Sequence, residues 1–185
     1  RLLVGAAGKL APGKSVRLAG LWGSAGALAA AAIGRINGAP VLFIAKHLDD
    51  ADSVADDVEV FTGRTAHLFP AWEVDIGTEH VNDEIAGERL NICNMLSGAR
   101  GSLGPEVIVA PVMALLQPVP TREALSQSSL KIDVGAELSL DDLMAWLVDA
   151  GFQRTEQVDQ QGEFAGRGGI VDVMPIGSAR AVRIE

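Results

Sequence analysis

Short apolar runs alternate with stretches of helical periodicity over the first 127 residues, and this alternation constrains the fold more than any other feature of the chain. The run Pro40–Ala45 contains no polar residue, which is typical of a strand buried on both faces. Because helical segments separate the apolar runs, we expect crossover connections and a parallel α/β sheet. The predicted strands are Ser15–Leu21, Pro40–Ala45, Ala66–Pro70 and Glu106–Pro111.

Helical segments are predicted between these strands from their periodicity and from residues suited to helix ends. Asp49 or Asp50 is expected to cap the second helix, because an aspartate oxygen accepts from the free N–H groups of a first turn. A long loop over residues 71–83 precedes the third helix. The predicted helices are Ser24–Ile36, a segment ending at Phe61, Glu84–Leu96 and a short turn at Val112–Gln117.

Beyond residue 127 the pattern changes to that of a small α+β domain. Residues 129–135 predict a strand and a turn, and a helix capped by Ser139 follows, with Gly151 at its end. The remaining extended pieces predict an antiparallel sheet. We therefore predict two domains, 1–127 with a parallel α/β sheet and 128–185 with a smaller antiparallel one.

The stretch "LAGLWGSAGALAAAAIGR", residues 18–35, has the frame of a phosphate-binding loop without the residues that hold phosphate. On the pattern G-x-x-x-x-G-K-[ST], Gly20 matches the first glycine. Ala25, Gly26 and Ala27 stand where the second glycine, the lysine and the hydroxyl belong. The lysine holds the β and γ phosphates and the hydroxyl holds Mg²⁺, so we expect no ATP turnover at this loop.

Two other interpretations of these glycines stay open on the residues alone. Gly20, Gly23 and Gly26 fit the G-x-x-G-x-x-G loop of extended short-chain dehydrogenases, with Asp49 or Asp50 near the place of a ribose-binding acid. Those enzymes use a catalytic tyrosine, however, and the chain contains no tyrosine. Alternatively, the small residues only allow a helix to pack closely against a strand after a sharp turn.

Composition limits the partners of the chain. A net charge of -9 and a pI near 4.8 argue against an extended nucleic-acid-binding surface. The single cysteine, Cys93, cannot form an internal disulfide, which indicates an intracellular, cytoplasmic protein. The run Ala25–Ile33 is too short to span a membrane. Because the chain starts at Arg1 rather than Met and ends in a strand-like run, we expect a segment of a longer protein.

The other side chains that could take part in catalysis or metal binding are not arranged as a site. The histidines and the cysteine lack metal-ligand spacing, no triad or carboxylate pair is present, and we predict neither catalytic residues nor a metal site. Trp22 and Trp72 are predicted to be packing residues, while Glu73 and Asp75 are expected to face solvent in the long loop. The histidines considered are His47, His67 and His80.

Several segments, in order, resemble one family. They are "HLFPAWEVD", "DEIAGERLNICNML", "VIVAPVMALLQPVP" and "GFQRTEQVDQQGEFAGRGGIVDVMP" with "VRIE". Together with the glycine frame, they resemble the N-terminal region of the bacterial transcription-repair coupling factor family (Mfd), a region related to the excision-nuclease subunit UvrB. The part "GEFAGRGGIVDVMP" is the most specific. UvrB itself resembles the chain less, because its intact G-S-G-K-T loop and tyrosine-rich hairpin have no counterpart here.

The resemblance implies a degenerate P-loop ATPase-like, RecA-like first domain without a cofactor, and a second domain that docks the damage-sensing ATPase UvrA for nucleotide excision repair. In the family, arginines make that contact. Carried onto this chain, they are Arg167, in the E-[FY]-A-x-R-G motif, and Arg183, in "VRIE". Gly166 stands where the family more often has a side chain. The parent protein would be an ATP- and Mg²⁺-dependent DNA translocase that reaches RNA polymerase and duplex DNA through domains outside this segment.

The residue pattern around Arg183 is compatible with this role. Val182 and Ile184 alternate with Arg183, so the arginine faces away from the apolar side of a strand. An arginine in this place can offer a planar fork of donors to the carboxylates of a partner. On the residues alone, the favoured interpretation of each arginine is a solvated strand residue.

Overall fold

The computed structural model describes residues 2–72, 83–97, 106–178 and 180–185. The chain divides into two compact units, and neither is continuous in sequence. The first comprises Arg1–Thr78 with Asn94–Pro118, and the second comprises Glu79–Cys93 with Val119–Glu185. The domain limits inferred above, 1–127 and 128–185, describe the sequence pattern rather than these compact units and stay a prediction.

The first unit is built on a parallel sheet, as predicted. In the described part of the chain its strands are β1 (Val41–Ala45), β2 (His67–Leu68) and β3 (Val107–Pro111), in the order β1-β3-β2. The central strand β3 is buried along its whole length. The accompanying helices are α1 (Leu2–Ala7), α2 (Ala25–Asn37), α3 (Leu48–Thr62), α4 (Asp83–Ser97), which passes from the second unit to the first, and α5 (Val112–Leu115).

Small residues let α2 pack closely on the first sheet. Ala27 and Ala31 are buried in one cluster with Val109 of β3 and Val58 of α3. Both long helices of this layer end at glycines in the left-handed conformation, with φ +62° at Gly38 after α2 and +66° after α3. None of the helices among the described residues has the length and apolarity needed to cross a membrane.

Three predictions for the elements of the first unit are wrong. The strand β1 is not buried on both faces, because Leu42 and Ile44 are 50% and 56% exposed. Residues 15–21 form no strand, because most of them are exposed and their backbone pairs with no strand in the described structure. Apolar alternation favours extended backbone, but a strand also needs a neighbour to accept its hydrogen bonds. Asp49 and Asp50 do not cap α3, since His47 holds the cap position. Both aspartates lie in the first turn, where the helix dipole favours their negative charge.

The second unit contains a four-stranded sheet within its described residues, in the order β4-β5-β6-β7. The β5-β6 and β6-β7 pairs are antiparallel, as predicted, whereas β4 runs parallel to β5. The elements are α6 (Arg122–Gln127), α7 (Leu140–Asp149), β4 (Gln153–Arg154), β5 (Glu163–Arg167), β6 (Ile170–Val173) and β7 (Val182–Ile184).

Local signals for helix ends were more reliable here than signals for strands. The Ser139 hydroxyl caps α7, as predicted, by accepting from the backbone N–H of Asp142 at 3.4 Å. Helix α6 was not predicted, although Thr121 caps it by accepting from Ala124 N–H at 3.1 Å. The strand predicted from residue 129 is wrong, because these residues pair with no strand and their apolar side chains are exposed. The turn that follows is present, with φ +87° at Gly135.

Helix α7 covers one face of the second sheet and so fixes which strand residues point outward. Leu143 and Leu147 pack with Phe164 of β5 and with Val171 and Val173 of β6 in a cluster of buried side chains. Because successive strand residues point to opposite faces, the residues between these apolar ones lie on the uncovered face.

Gly166 belongs to the covered face, and its environment explains the missing side chain. It pairs with Val171 across the β5-β6 ladder, and a β-carbon at this position would lie 3.0 Å from the Met144 sulfur of α7. The thioether therefore occupies the space of a side chain. Glycine at this position lets α7 approach the sheet.

The first half of α4 packs against the connection between β6 and β7 through two glycines. A β-carbon on Gly177 would lie 2.8 Å from the Gly87 carbonyl oxygen, and Gly177 has φ +77°. The Gln161 side-chain oxygen accepts from Gly177 N–H at 2.8 Å. The approach is therefore backbone against backbone, and only glycine satisfies both the conformation and the space.

This contact predicts that Gly177→Ala lowers the free energy of unfolding more than Gly162→Ala does. Gly162 has a similar φ of +80° but open space around it, so it reports the conformational cost alone, about 1–2 kcal/mol. Overpacking against Gly87 should add about 1–3 kcal/mol to the cost at Gly177. Urea denaturation of the two variants measures the difference, and equal losses of stability would contradict the proposed close packing.

Candidate functional site

The two arginines singled out from the sequence lie on the same face of the second sheet. In the ladders, Asp172 of β6 is opposite Ala165 of β5 on one side and opposite Arg183 of β7 on the other. Arg167 pairs with Ile170 at the end of the β5-β6 hairpin. These five residues share the face that α7 leaves uncovered, and all of them line one open pocket of about 650 Å³.

Arg183 is held by a bidentate ion pair with Asp172. Its Nε donates to Oδ1 at 2.7 Å and its Nη2 donates to Oδ2 at 2.9 Å. The arginine side chain remains 61% exposed, so its other N–H groups are accessible to a partner. The hydrogen bonds from Arg183, with the charges of Arg183 and Arg167, lower the pKa of Asp172 from its usual value, and they outweigh the opposing effect of desolvation.

Arg167 is held by the loop that forms one wall of the pocket. Its Nη2 donates to the backbone oxygen of Glu156 at 2.7 Å. The loop itself is fixed by Glu163, whose carboxylate accepts from the N–H groups of Asp159 and Gln160 at 2.8 and 2.9 Å. These two backbone hydrogen bonds lower the pKa of Glu163.

The pocket combines charged donors with apolar surface. Ala165 and Ile170 contribute from the sheet, and Val158 contributes from the loop. Arginine guanidinium groups bind carboxylates through paired, charge-assisted hydrogen bonds, and the apolar surface between them favours contact with a nonpolar side chain. A site of this kind suits a protein surface that carries carboxylates.

The glycine-rich stretch that resembles a phosphate-binding loop, residues 18–35, contains the start of α2. Gly20 and Gly23 have φ of +75° and +53° in the preceding segment, and Ala25, Gly26 and Ala27 form the first turn of the helix. Ala27 is 1% exposed and belongs to the core, while a β-carbon on Gly26 would be in ordinary contact with the Phe43 ring at 3.6 Å. Two of the three positions that replace the phosphate-binding residues therefore face protein atoms.

The remaining candidates are dispersed. His47 is at the start of α3 and His67 is in β2, and the residues covered by the structure contain no cluster of three or more metal-ligating side chains. Trp22 was predicted to pack but is 86% exposed. Trp72 is half-buried, and its backbone exchanges two hydrogen bonds with the Gln117 amide. Glu73, Asp75 and His80 lie outside the described residues.

Sequence reasoning missed the groups that hold the arginines. Asp172 stands between Val171 and Val173 in "IVDV", so the same alternation that exposes Arg183 could have identified it as an outward-facing residue. Its pairing with Arg183 depends on the β6-β7 register, which no local pattern specifies. The Glu156 contact uses a backbone oxygen and therefore leaves no signal in the sequence.

Comparison with known proteins places the second sheet in a known family. Residues 130–185 match the family model described as the UvrB interaction domain. Over 175 residues, or 93% of the chain, the sequence is 34% identical to the transcription-repair-coupling factor of Bacillus subtilis. It is 30% identical to that of Escherichia coli over 94% of the chain. The chain spans only 14% and 15% of the lengths of these two relatives.

The sheet that carries Arg167 and Arg183 thus lies in the part of the chain that matches the UvrB interaction domain. Mycobacterium bovis has a further relative of the same description, 32% identical over 88% of the chain. The chain belongs to the transcription-repair coupling factor family, as the sequence resemblance predicted.

The ion pair predicts how Asp172 titrates. Arg183→Gln should raise the pKa of Asp172 towards its ordinary value, because the bidentate hydrogen bond is the largest cause of the lowering. Since the folded pKa lies below the unfolded one, the stabilisation by the pair is present above the unfolded pKa and is lost as the pH falls through the folded pKa. Carboxyl carbon shifts in an NMR titration measure the pKa, and urea denaturation at several pH values measures the stabilisation.

Glu163 provides an internal reference in the same titration. Its pKa is lowered by backbone N–H groups rather than by an arginine, so it should be unchanged in Arg183→Gln. An Asp172 that titrated identically in both proteins would contradict the ion pair in solution.

Proposed function

We propose that this chain is the non-catalytic segment of a transcription-repair coupling factor that recruits UvrA to stalled RNA polymerase for nucleotide excision repair. The second unit provides the docking surface, and Arg167 and Arg183 are the principal contacts with carboxylates of UvrA. The observation that carries this proposal is that both arginines line one exposed pocket on the uncovered face of a UvrB interaction domain.

The first unit is proposed to be a degenerate ATPase-like domain that binds neither nucleotide nor Mg²⁺. The replacements at Gly26 and Ala27 support this proposal, because neither residue supplies the lysine charge or the hydroxyl that such a site needs. The ATP-driven translocase, the contact with RNA polymerase and the contact with duplex DNA belong to other parts of the parent protein. We propose a cytoplasmic location, where these partners are found.

Removal of either arginine should weaken binding to UvrA. Truncating one partner of an interfacial charge pair leaves the other charge unpaired, so we expect Arg167→Ala and Arg183→Ala each to raise the dissociation constant by roughly tenfold or more. Thermal stability should change little, since both side chains are exposed. Surface plasmon resonance with UvrA of the same organism measures the effect.

Arg154→Ala is the matched control, because Arg154 is also an exposed strand arginine of the second unit but does not line the pocket. Gly26→Ala, a charge-neutral change in the first unit, should likewise leave binding unchanged. If both pocket variants bound UvrA like the parent, the assignment of the site would be wrong. If the unmodified chain did not bind UvrA, the recruitment function would be wrong.

Nucleotide titrations test the first unit. Isothermal titration of the chain with Mg-ATP should give no binding heat, because the groups that hold the phosphates and the metal are missing. Titration with NAD and NADP should also be flat, in contrast to the dehydrogenase interpretation of the same glycines. A micromolar dissociation constant for ATP would contradict the proposed loss of the nucleotide site, and binding of NAD or NADP would revive the dehydrogenase alternative.

A further inference from the structure

A carboxylate lies at the centre of a surface proposed to bind carboxylates. Asp172 is on β6, which pairs with β5 on one side and β7 on the other, so its backbone is fixed by ladders on both edges. Its carboxylate contacts Arg183 directly, and the charge of Arg167 also acts on it. The aspartate could therefore either compete with UvrA for the arginine or hold the arginine in place for UvrA.

The number of donors favours the second role. A guanidinium has five N–H donors, and the pair with Asp172 uses the Nε–H and one Nη2–H of Arg183. Three N–H groups remain for a partner without any need to displace Asp172. A bound partner would gain a charge-assisted contact while the internal pair stays intact.

The difference in flexibility between the two side chains points the same way. Arginine has a long side chain with high rotamer entropy, whereas aspartate is short and is here anchored on a central strand. The bidentate pair orders the arginine before the partner arrives. An interface made from ordered side chains loses less entropy on binding than one that must first immobilise them.

We propose that Asp172 is a positioning residue of the docking surface, which acts through Arg183 by holding its guanidinium in a binding-ready orientation. This inference rests on the proposed UvrA-docking function. Arg167 is held independently, by the backbone oxygen of Glu156, so Asp172 should act on Arg167 only through its charge and should not orient it.

The test is a set of double-mutant cycles with UvrA binding as the readout. Asp172→Asn should raise the dissociation constant about two- to tenfold, which corresponds to the cost of immobilising one long side chain. It should have no further effect in an Arg183→Ala background. In an Arg167→Ala background most of its effect should persist. An effect that persists without Arg167 but disappears without Arg183 distinguishes positioning of Arg183 from a general loss of structure.

Two further variants make the test specific. Asp172→Glu keeps the charge and should bind UvrA more tightly than Asp172→Asn. Glu106→Gln is the matched control, because it removes the carboxylate of another ion pair, with Arg64 at 3.0 Å, in the first unit and outside the residues that line the arginine pocket. Binding by Glu106→Gln should equal that of the parent.

The outcomes separate this inference from the docking function itself. If Asp172→Asn bound UvrA as tightly as the parent or more tightly, Asp172 would not position Arg183. If its effect were the same in the Arg183→Ala background, it would act through the fold rather than through the arginine, and the inference would again be wrong. If Arg183→Ala bound like the parent, the proposed role of Arg183 would fail first.

Discussion

Burial of one face of the four-stranded sheet against α7 is the interaction on which the candidate site depends. Phe164 and Val171 are almost completely inaccessible in that cluster, together with Leu143 and Leu147 of the helix. Once these side chains are committed to the core, the pleat of each strand directs every second residue to the other side. The sheet side of the arginine pocket is therefore a consequence of how the apolar residues pack.

The same packing explains why the proposed docking surface can be both charged and ordered. An exposed arginine on a loop would lose conformational entropy on binding, whereas these arginines are attached to hydrogen-bonded strands. Arg183 is then fixed by a carboxylate and Arg167 by a carbonyl oxygen. The wall of the pocket depends in turn on Glu163, whose backbone contacts hold the loop. Direct contacts thus hold each guanidinium group, and the contacts of Glu163 hold the loop behind Arg167.

How much could be predicted from the sequence depended on how local each signal was. The Ser139 cap needs only the residues of one helical turn and was predicted correctly. The strand expected at residues 15–21 was not found, because strand formation depends on a partner elsewhere in the chain. The family resemblance predicted Arg167 and Arg183 as contact residues, which stays a prediction, and alternation explained why Arg183 faces outward. The Asp172 contact required the β6-β7 register, a non-local property that neither residue pattern nor composition contains.

The contact between Gly87 and Gly177 has a consequence for the order in which the second unit can be completed during synthesis. Gly87 is on a helix that leaves the ribosome long before the connection between β6 and β7 is made. The first half of α4 can therefore make this contact only after the connection between β6 and β7 has been synthesised. The compact unit extends beyond the residues 130–185 matched by the family model, since the first part of α4 belongs to it. The connection that α4 contacts leads into β7, so the contact between the two glycines also supports the strand that carries Arg183.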